Sequence, residues 1–414
     1  MGSRIRDYWK AKDGEHSFLE EIEGDKALNW VRAQNSVTLS RLGDPQTNPF
    51  YQTVREILDS KEKIPYVSKI GDLYYNFWQD AQNIRGLLRR TTPDSYQTTN
   101  PHWETVLDLD KLGKEEGESW VYKGSNAFYP FDGSNPTRTL VILSPGGSDA
   151  CVYREFNLIT LKFIPEAEGG FILPLAKSSV SWLTEDVLLV GTDFAKDKSS
   201  LTDSGYPMDV RLWKRGTNYS LANKLFEGAK SDVSVTGYVS KHRRVYYEWR
   251  RRALDFYTSK KYLRRIYPET MMDPSVVQDD YNSLGPWCEL DVPNDASVST
   301  FGEYFLINLK TSWKVRDEEY PAGSLLTAPI EEFLGKGKGK DGVKITALFT
   351  PNAKDRISLE SYSITLNYIV LEILENVKSR LSIFQFSDGN WIRVGSEDSA
   401  CIRGISISAV GKSK

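Results

Sequence analysis

The amino-acid sequence predicts an all-β protein preceded by a short α-helical segment. From about residue 66 nearly to the end, short runs rich in Tyr, Trp, Val, Ile and Leu alternate with turn-forming clusters, and no long helical pattern separates them. Aromatic residues make up 12% of the 414 residues, a bias that favours strands over helices. The predicted strands are Leu73–Trp78, Arg85–Arg90, Thr105–Leu109, Trp120–Lys123, Thr139–Leu143, Asn157–Phe163, Val187–Val190, Val210–Trp213, Val233–Val239, Arg244–Arg250, Glu303–Leu309, Val343–Phe349, Ser361–Leu371 and Ser382–Phe386.

The first 65 residues have a helical pattern instead. Ala27 and Trp30 recur near the 3.6-residue period of a helix, and Asp25 is a candidate capping residue at its start. A second helix is predicted over Pro49–Lys61, and Pro65 ends the helical section. One face of that second helix carries the apolar residues Phe50, Val54, Ile57 and Leu58.

The length of the β-region limits which β-architectures are possible. A β-sandwich takes about 100 residues, far fewer than the chain has beyond residue 66. Four-stranded blades take about 40–50 residues each, so the region is long enough for about six or seven blades of a β-propeller. No WD or kelch signature repeats, and two stacked sandwiches are the alternative.

Composition excludes several classes of function. The formal net charge of −3 gives no general attraction to nucleic acid or to an anionic membrane. The three cysteines, Cys151, Cys288 and Cys401, have no CxxC spacing, which argues against a disulfide framework or a zinc site. The N-terminus has no apolar signal region, and no run of about 18 apolar residues occurs. We therefore expect a cytoplasmic protein that is reduced, lies outside the membrane and has no cofactor.

A long loop between two predicted strands is the most informative segment. Val187–Val190 and Val210–Trp213 flank a loop rich in Gly, Asp, Ser and Thr, which is too long for a tight hairpin. Loops of this length in compact folds are usually functional or specially packed.

Several segments, this loop among them, resemble one family of serine peptidases. The segments are FLEEIEGDKALNWVRAQN (18–35), IPYVSKIGDLYYNFWQDAQNIRGLLRRTT (64–92), WETVLDLDKL (103–112), LSPGGSDACVYREFNL (143–158), VGTDFAKDKSSLTDSGYP (190–207) and YPAGSLLTAPIEEFLGKGK (320–338). Together they are similar to the bacterial prolyl-oligopeptidase type of the family that also contains oligopeptidase B. Phe18 stands where that family usually has Trp. The resemblance runs from about residue 7 to about residue 394.

The resemblance implies both a fold and a function. In this family an N-terminal helical segment packs on an α/β-hydrolase domain, and a seven-bladed propeller covers the active site. We therefore expect helical residues 1–65, a propeller over residues 66–395 and a divergent tail over residues 396–414. Because the resemblance to this family ends near residue 395, we expect an incomplete propeller of about six blades and a chain that is truncated within the propeller. The expected role is substrate gating in a peptidase of short, proline-containing peptides, inactive unless a separate polypeptide supplies the hydrolase domain.

No catalytic residue is predicted in this chain. Serine-peptidase chemistry needs a nucleophile on a GxSxG elbow, a histidine base and a carboxylate, and the sequence contains no GxSxG. The nearest candidate, Ser148 in PGGSDA, reads as a turn residue. His16, His102 and His242 are isolated from one another in sequence, so neither a base nor a histidine-based metal site is predicted. The adjacent carboxylates are interpreted as solvated charge, and they are Glu20–Glu21, Glu115–Glu116 and Glu331–Glu332.

Two other functions stay open at this point. The segment Lys241–Arg265 carries ten Lys or Arg residues interleaved with aromatics, a combination that suits single-stranded nucleic acid. The competing interpretation is a pair of strands with buried aromatics and solvated cations, and we favour it because the chain is slightly acidic. A non-catalytic propeller that acts as an interaction scaffold is the second alternative. Gly335–Gly342 lacks the spacing of a phosphate loop and is predicted to be a flexible connector.

Overall fold

A computed structural model of the chain describes residues 14–21, 24–272, 281–335 and 339–394. The chain divides into two compact units. The first comprises Met1–Ile64 with Gln79–Gln82, and the second comprises Pro65–Trp78 with Asn83–Lys414. The predicted tail over residues 396–414 lies outside the described residues. None of the described helices is long and apolar enough to cross a membrane.

The first unit contains helix α1, Asp25–Leu42, and helix α2, Pro49–Asp59. The prediction of Asp25 as capping residue is wrong, because Gly24 occupies the cap position and no side chain there bonds to the helix. Helix α2 begins as its sequence requires: the Asn48 side chain accepts a hydrogen bond of 2.9 Å from the backbone N–H of Phe50, and proline fills the first turn. The predicted end of α2 was two residues too late.

In the part of the chain that the structure describes, the second unit contains six successive antiparallel sheets, five with four strands and one with five, and an inserted two-stranded hairpin. The first sheet contains β1 (Ser68–Ile70), β2 (Leu73–Trp78), β3 (Leu87–Thr91) and β4 (Glu104–Asp108). The second contains β5 (Trp120–Ala127), β6 (Arg138–Pro145), β7 (Cys151–Asn157), β8 (Lys162–Phe163) and β9 (Ile172–Ala176), where β8 and β9 both pair with β7. The third contains β10 (Ser179–Thr184), β11 (Val187–Gly191), β12 (Asp209–Lys214) and β13 (Asn223–Glu227).

The remaining three sheets repeat the same order. The fourth contains β14 (Ser234–His242), β15 (Val245–Ala253), β16 (Ser259–Ile266) and β17 (Cys288–Glu289). The fifth contains β18 (Ser297–Phe301), β19 (Tyr304–Asn308), β22 (Leu325–Pro329) and β23 (Thr346–Phe349), with an inserted hairpin of β20 (Trp313–Val315) and β21 (Glu318–Tyr320). The sixth contains β24 (Ile357–Ile364), β25 (Tyr368–Glu375), β26 (Lys378–Ser387) and β27 (Asn390–Val394). Short helices in this unit are α3 (Pro93–Tyr96), α4 (Leu109–Glu116), α5 (Pro268–Met271) and α6 (Ile330–Leu334).

Apolar side chains join each sheet to the next one along the chain. The residues of five buried clusters come from the first and second sheets, the second and third, the third and fourth, the fourth and fifth, and the fifth and sixth. Every inner sheet is therefore covered on both faces, which a pair of separate sandwiches would not produce. The predicted all-β propeller architecture with a helical segment before it is confirmed.

Two strand predictions were wrong because turn chemistry interrupts apolar runs. Asn157–Phe163 is not one strand, because a turn over residues 158–161 separates the end of β7 from β8. The Asn157 side chain accepts hydrogen bonds from the backbone N–H groups of Ile159 and Thr160, and Leu161 has a φ of 55°. Ser361–Leu371 is two strands, since the chain reverses between Ile364 and Tyr368.

The strand order gives each sheet two distinct ends. Because consecutive strands run antiparallel, the turns between the first and second and the third and fourth strands share one end, here called the 1–2 end. The turns between the second and third strands and the links to the next sheet share the opposite end, here called the 2–3 end. Contacts in the third sheet agree: the backbone N–H of Asp203 in its 2–3 turn donates to the carbonyl of Lys230 in the link to the fourth sheet, at 2.8 Å.

A buried lysine in the fourth sheet makes the stability of the protein depend on pH. Lys261 is 8% exposed, and its Nζ donates to the carbonyls of Ser259 and Asn294 at 3.1 and 3.2 Å. Burial, together with a smaller effect of the nearby Arg251, lowers the pKa of Lys261 to about 8. Since the pKa of an exposed lysine is higher, the unfolded chain binds more protons than the folded chain above pH 8.

Lys261 therefore contributes a stability that rises with pH from about 8 towards 10, as the cost of the buried ammonium disappears, while cysteines and tyrosines whose pKa is raised by burial contribute in the opposite direction. Lys261→Met removes this contribution, so its free energy of unfolding should exceed that of the wild type by about 1–3 kcal/mol at pH 7, and this difference should shrink towards pH 10. Urea unfolding at several pH values measures both effects. The matched control is Lys260→Met in the same strand, whose exposed amine pairs with Glu289 at 3.0 Å and which should leave the slope unchanged. A difference in free energy of unfolding between Lys261→Met and the wild type that stays constant or grows from pH 8 to pH 10 would contradict the assignment.

The tight turn of the sixth sheet contains a strained residue. Asn376 and Val377 have φ values of 50° and 58°, and Val377 is 92% exposed. A β-branched residue is disfavoured in this left-handed conformation, whereas glycine adopts it freely. Val377→Gly should therefore raise the free energy of unfolding by about 0.5–1 kcal/mol, measured as a higher urea midpoint. Val370→Gly, within strand β25, is the control and should lower it, and a destabilising Val377→Gly would refute the strain.

Candidate functional site

The structure places Ser148 in a turn between β6 and β7. Among the described residues its Oγ contacts the Ser144 hydroxyl at 3.4 Å and the carbonyl of Ala150 at 3.4 Å. Its carbonyl accepts a hydrogen bond from the Ser144 hydroxyl at 2.8 Å, which closes the turn. A nucleophile needs a base within hydrogen-bond reach, and no histidine in the described part of the chain is a hydrogen-bond partner of this hydroxyl. Ser148 is therefore a turn residue.

His242 is a structural residue at the 1–2 end of three sheets. It is buried, its ring lies 4.4 Å from that of Phe301, and its Nδ1 accepts a hydrogen bond of 2.7 Å from the backbone N–H of Gly302 in the fifth sheet. Its Nε2 lies 2.9 Å from the carbonyl of Thr365 in the sixth sheet, and therefore carries the proton and donates. Both ring nitrogens are thus used to connect turns of neighbouring sheets.

The other two histidines lie apart from His242. His16 is exposed in the first unit, with its ring 6.0 Å from that of Trp30. His102 is exposed between β3 and β4, where its backbone N–H donates to the Ser95 hydroxyl at 2.8 Å. The structure brings no two of these three histidines together in any contact that it describes. Among the described residues, no group of three or more His, Cys, Asp or Glu side chains could hold a metal ion.

The cysteines and the adjacent carboxylates form no site. Cys151 is buried and Cys288 is half-buried, both as free thiols whose pKa is raised by burial, while Cys401 lies outside the described residues. Glu116 accepts from the indole N–H of Trp120 at 2.8 Å and pairs with Arg154 at 2.8 Å. The other members of the three predicted carboxylate pairs are exposed. Residues 336–338 of the predicted connector also lie outside the described residues.

The basic segment over residues 241–265 contains the end of β14, all of β15 and nearly all of β16, and several of its cations are buried or form ion pairs. Arg250 and Arg264 are buried around the buried carboxylate of Glu248, at 2.6 and 2.7 Å. Both guanidinium groups lie over the ring of Trp287, at 4.9 and 4.8 Å from its centroid. A buried carboxylate is tolerated only when it is paired and hydrogen-bonded in this way, and the Tyr281 hydroxyl completes the cluster.

Three further cations of this segment form ion pairs with carboxylates. The pairs are Arg252 with Asp232 at 2.7 Å, Lys260 with Glu289 at 3.0 Å, and Arg265 with Glu303 at 2.9 Å. The aromatic residues Tyr246, Tyr247 and Trp249 are buried between sheets, where a base has no room to stack. The geometry thus supports the structural interpretation of the segment. Among the aromatic residues of 241–265, all of which the structure describes, only Phe256 and Tyr257 are largely exposed to solvent.

The long loop between β11 and β12 is held by its own polar groups. The Ser200 hydroxyl donates to the carbonyl of Thr192 at 3.0 Å and accepts from the backbone N–H of Phe194 at 3.1 Å. Leu201 and Pro207 form an isolated β-bridge, and the guanidinium of Arg211 lies over the ring of the buried Phe194 at 4.0 Å. The sequence resemblance in this loop therefore reflects a specific local structure.

The first unit exposes a large apolar surface. On α2 the side chains of Phe50, Val54, Ile57 and Leu58 are all exposed, as are Val37, Leu39 and Leu42 on α1. Isolated exposed apolar residues are ordinary, but a contiguous stripe on a helix with this pattern is typical of a surface that packs against another domain.

Comparison with known proteins accounts for this architecture. The sequence profile described as the prolyl oligopeptidase N-terminal beta-propeller domain matches residues 10–252. An uncharacterized peptidase of Sinorhizobium fredii is 32% identical over 381 residues, which are 91% of this chain and 49% of that protein. An uncharacterized peptidase of Rickettsia prowazekii is 30% identical over 383 residues, which are 87% of this chain and 50% of that protein.

Solved structures also match nearly all of this chain with about half of their own length. A post-proline cleaving enzyme from Rickettsia typhi is 27% identical with a TM-score of 0.76, and the match covers 93% of this chain and 54% of that one. Oligopeptidase B from Leishmania major shares the fold at 12% identity and a TM-score of 0.61, and the match covers 92% of this chain and 48% of that one. This chain spans about half the length of the curated relatives it matches. The chain belongs to the prolyl oligopeptidase family and contains its N-terminal propeller domain.

Proposed function

We propose that this chain is the substrate-gating part of a serine peptidase that cleaves short, proline-containing peptides. The observation that carries the proposal is the similarity to the post-proline cleaving enzyme from Rickettsia typhi, at 27% identity over 93% of this chain. The hydrolytic residues come from an α/β-hydrolase domain, as the family resemblance implies.

The side chains of the described residues support an arrangement in which the propeller controls access and a separate domain carries out hydrolysis. Ser148 has only turn contacts, and His242 uses both of its ring nitrogens in structural hydrogen bonds. Nucleophilic catalysis requires a serine, a base and a carboxylate in mutual hydrogen-bond contact. Residues 1–414 by themselves are therefore inactive, and the exposed apolar surface of α1 and α2 is where the hydrolase domain packs.

The packing between sheets supports a gating role. Each buried cluster joins two neighbouring sheets, and close-packed interfaces of this kind resist deformation. A narrow gap between such a propeller and a hydrolase domain admits flexible short peptides and excludes folded proteins. The peptidase works in the cytoplasm, where the two described cysteines stay as free thiols. No cofactor is needed for this chemistry.

Hydrolysis of a chromogenic peptide with proline before the scissile bond tests the proposal. The 414-residue chain alone should release no chromophore above background, and Ser148→Ala should behave identically. Co-expression with the half of the Sinorhizobium fredii relative that this chain does not cover should give hydrolysis that a serine-directed inhibitor abolishes.

Two results would contradict this proposal. Inhibitor-sensitive hydrolysis by the chain alone, lost in Ser148→Ala, would place the nucleophile in this chain. A co-expressed hydrolase half that leaves the mixture inactive would favour a non-catalytic interaction scaffold instead.

A further inference from the structure

A buried cluster in the fourth sheet contains more positive than negative charge. Arg250 and Arg264 are 1% and 2% exposed, and the carboxylate between them, that of Glu248, is fully buried. Within the described part of the chain, Glu248 is the only carboxylate that forms an ion pair with either guanidinium, at 2.6 and 2.7 Å. Because both guanidinium groups are permanently protonated, the cluster has one positive charge in excess.

The aromatic neighbours of the cluster do not remove this excess. The Tyr281 hydroxyl donates to the Glu248 carboxylate and accepts from Nη2 of Arg250 at 2.7 Å. Burial raises the pKa of Tyr281, and the Glu248 carboxylate acts in the same direction, so the phenol stays neutral. The Trp287 ring, which lies 4.9 and 4.8 Å from the two guanidinium groups, attracts cations but carries no charge.

One buried N–H group of the cluster has no acceptor. Nη1 of Arg250 forms no hydrogen bond with any described residue. Arg264 is better satisfied: its Nε donates to Glu248 at 2.8 Å and its Nη1 donates to the carbonyl of Tyr281 at 3.2 Å. Its Nη2 lies 2.7 Å from Glu248, although without hydrogen-bond alignment. A buried donor on a charged group is costly to leave unpaired, so a negatively charged acceptor at Nη1 of Arg250 would remove two penalties together.

The unpaired nitrogen lies between the third and fourth sheets. Glu248 and Arg250 are on the same face of β15 as Tyr246, which packs against residues of the third sheet. Gly237 pairs with Arg250 in register, and a Cβ at Gly237 would lie 2.5 Å from Nη1 and 2.8 Å from Cγ1 of Val210. Because the Gly237 backbone and the Val210 methyl groups bound this side of the guanidinium, the space favours a small acceptor.

We propose that a monatomic anion of the size of chloride binds beside Nη1 of Arg250, between the third and fourth sheets, as the missing counter-charge of this cluster. The anion accepts the unpaired N–H and neutralises the excess charge, and it stabilises the folded chain by mass action. This inference goes beyond the proposed function and does not rest on it. The competing explanation is a water molecule at Nη1, with the Trp287 ring alone supporting the excess charge.

Thermal unfolding of the 414-residue chain in two salts tests the site. Melting temperatures are measured by circular dichroism at neutral pH in sodium chloride and in sodium gluconate, both at an ionic strength of about 0.2 M, so that screening is equal. The chloride effect is the melting temperature in chloride minus that in gluconate. We expect the chloride effect of the wild type to exceed that of Arg250→Met by roughly 2–4 °C, because the variant removes both the excess charge and the unpaired donor.

Arg252→Met is the matched control. Arg252 lies in the same strand, but its guanidinium pairs with the Asp232 carboxylate at 2.7 Å and is only half-buried. The variant removes the same charge from the same sheet and should keep the wild-type chloride effect. Replacing gluconate stepwise by chloride should raise the wild-type melting temperature with the logarithm of the chloride concentration once the site is filled.

Bromide locates the ion without any substitution, which keeps the inference testable where Arg250→Met fails to fold. A crystal of the 414-residue chain soaked in sodium bromide should give an anomalous difference peak within hydrogen-bond reach of Nη1 of Arg250.

The other outcomes each overturn the inference. Equal chloride effects in the wild type and Arg250→Met would show that the anion does not act through this cluster. A chloride effect lost in Arg252→Met but kept in Arg250→Met would place the ion elsewhere. A water molecule at Nη1 and no bromide peak there would assign the donor to water, and a bromide peak without a chloride effect would show an adventitious ion only.

Discussion

The structure depends on apolar packing between the faces of successive sheets. Each of the five buried clusters takes residues from two neighbouring sheets, so the position of any sheet is set by the one before it. Such interfaces remove large apolar areas from water, at about 25 cal/mol per Å², and they supply most of the stability of the unit. Polar contacts then fix the details, as His242 does when it joins turns of three sheets.

Buried charge is tolerated only where the same packing supplies partners. Glu248 is surrounded by Arg250, Arg264 and the Tyr281 hydroxyl, so a segment that is strongly basic in sequence forms a buried ionic network in the fold. Lys261 is buried, its described hydrogen bonds are to backbone carbonyls, and burial lowers its pKa. The basic charge of residues 241–265 suggests nucleic-acid binding, but the burial and pairing of these side chains favour a structural role.

The sequence predicted the fold class, the helical segment and most strands, because apolar runs of period two and turn residues are local signals. It did not predict the break within Ser361–Leu371, where two strands of a hairpin read as a single apolar run. It also missed Phe256 and Tyr257 as surface residues. They belong to the same aromatic series as Tyr246 and Trp249, and only the register of β15 with β16 shows that the first pair lies in a turn. The roles of Ser148 and His242 required their hydrogen-bond partners, which are distant in sequence for the histidine.

We propose that this propeller gates a peptidase whose nucleophile lies in another domain. Intact-mass analysis after treatment with a fluorophosphonate, which reacts covalently with activated serines, locates the nucleophile. We expect no mass increase on the 414-residue chain, alone or in complex, and a single adduct on the hydrolase half. A stoichiometric adduct on the 414-residue chain would contradict it.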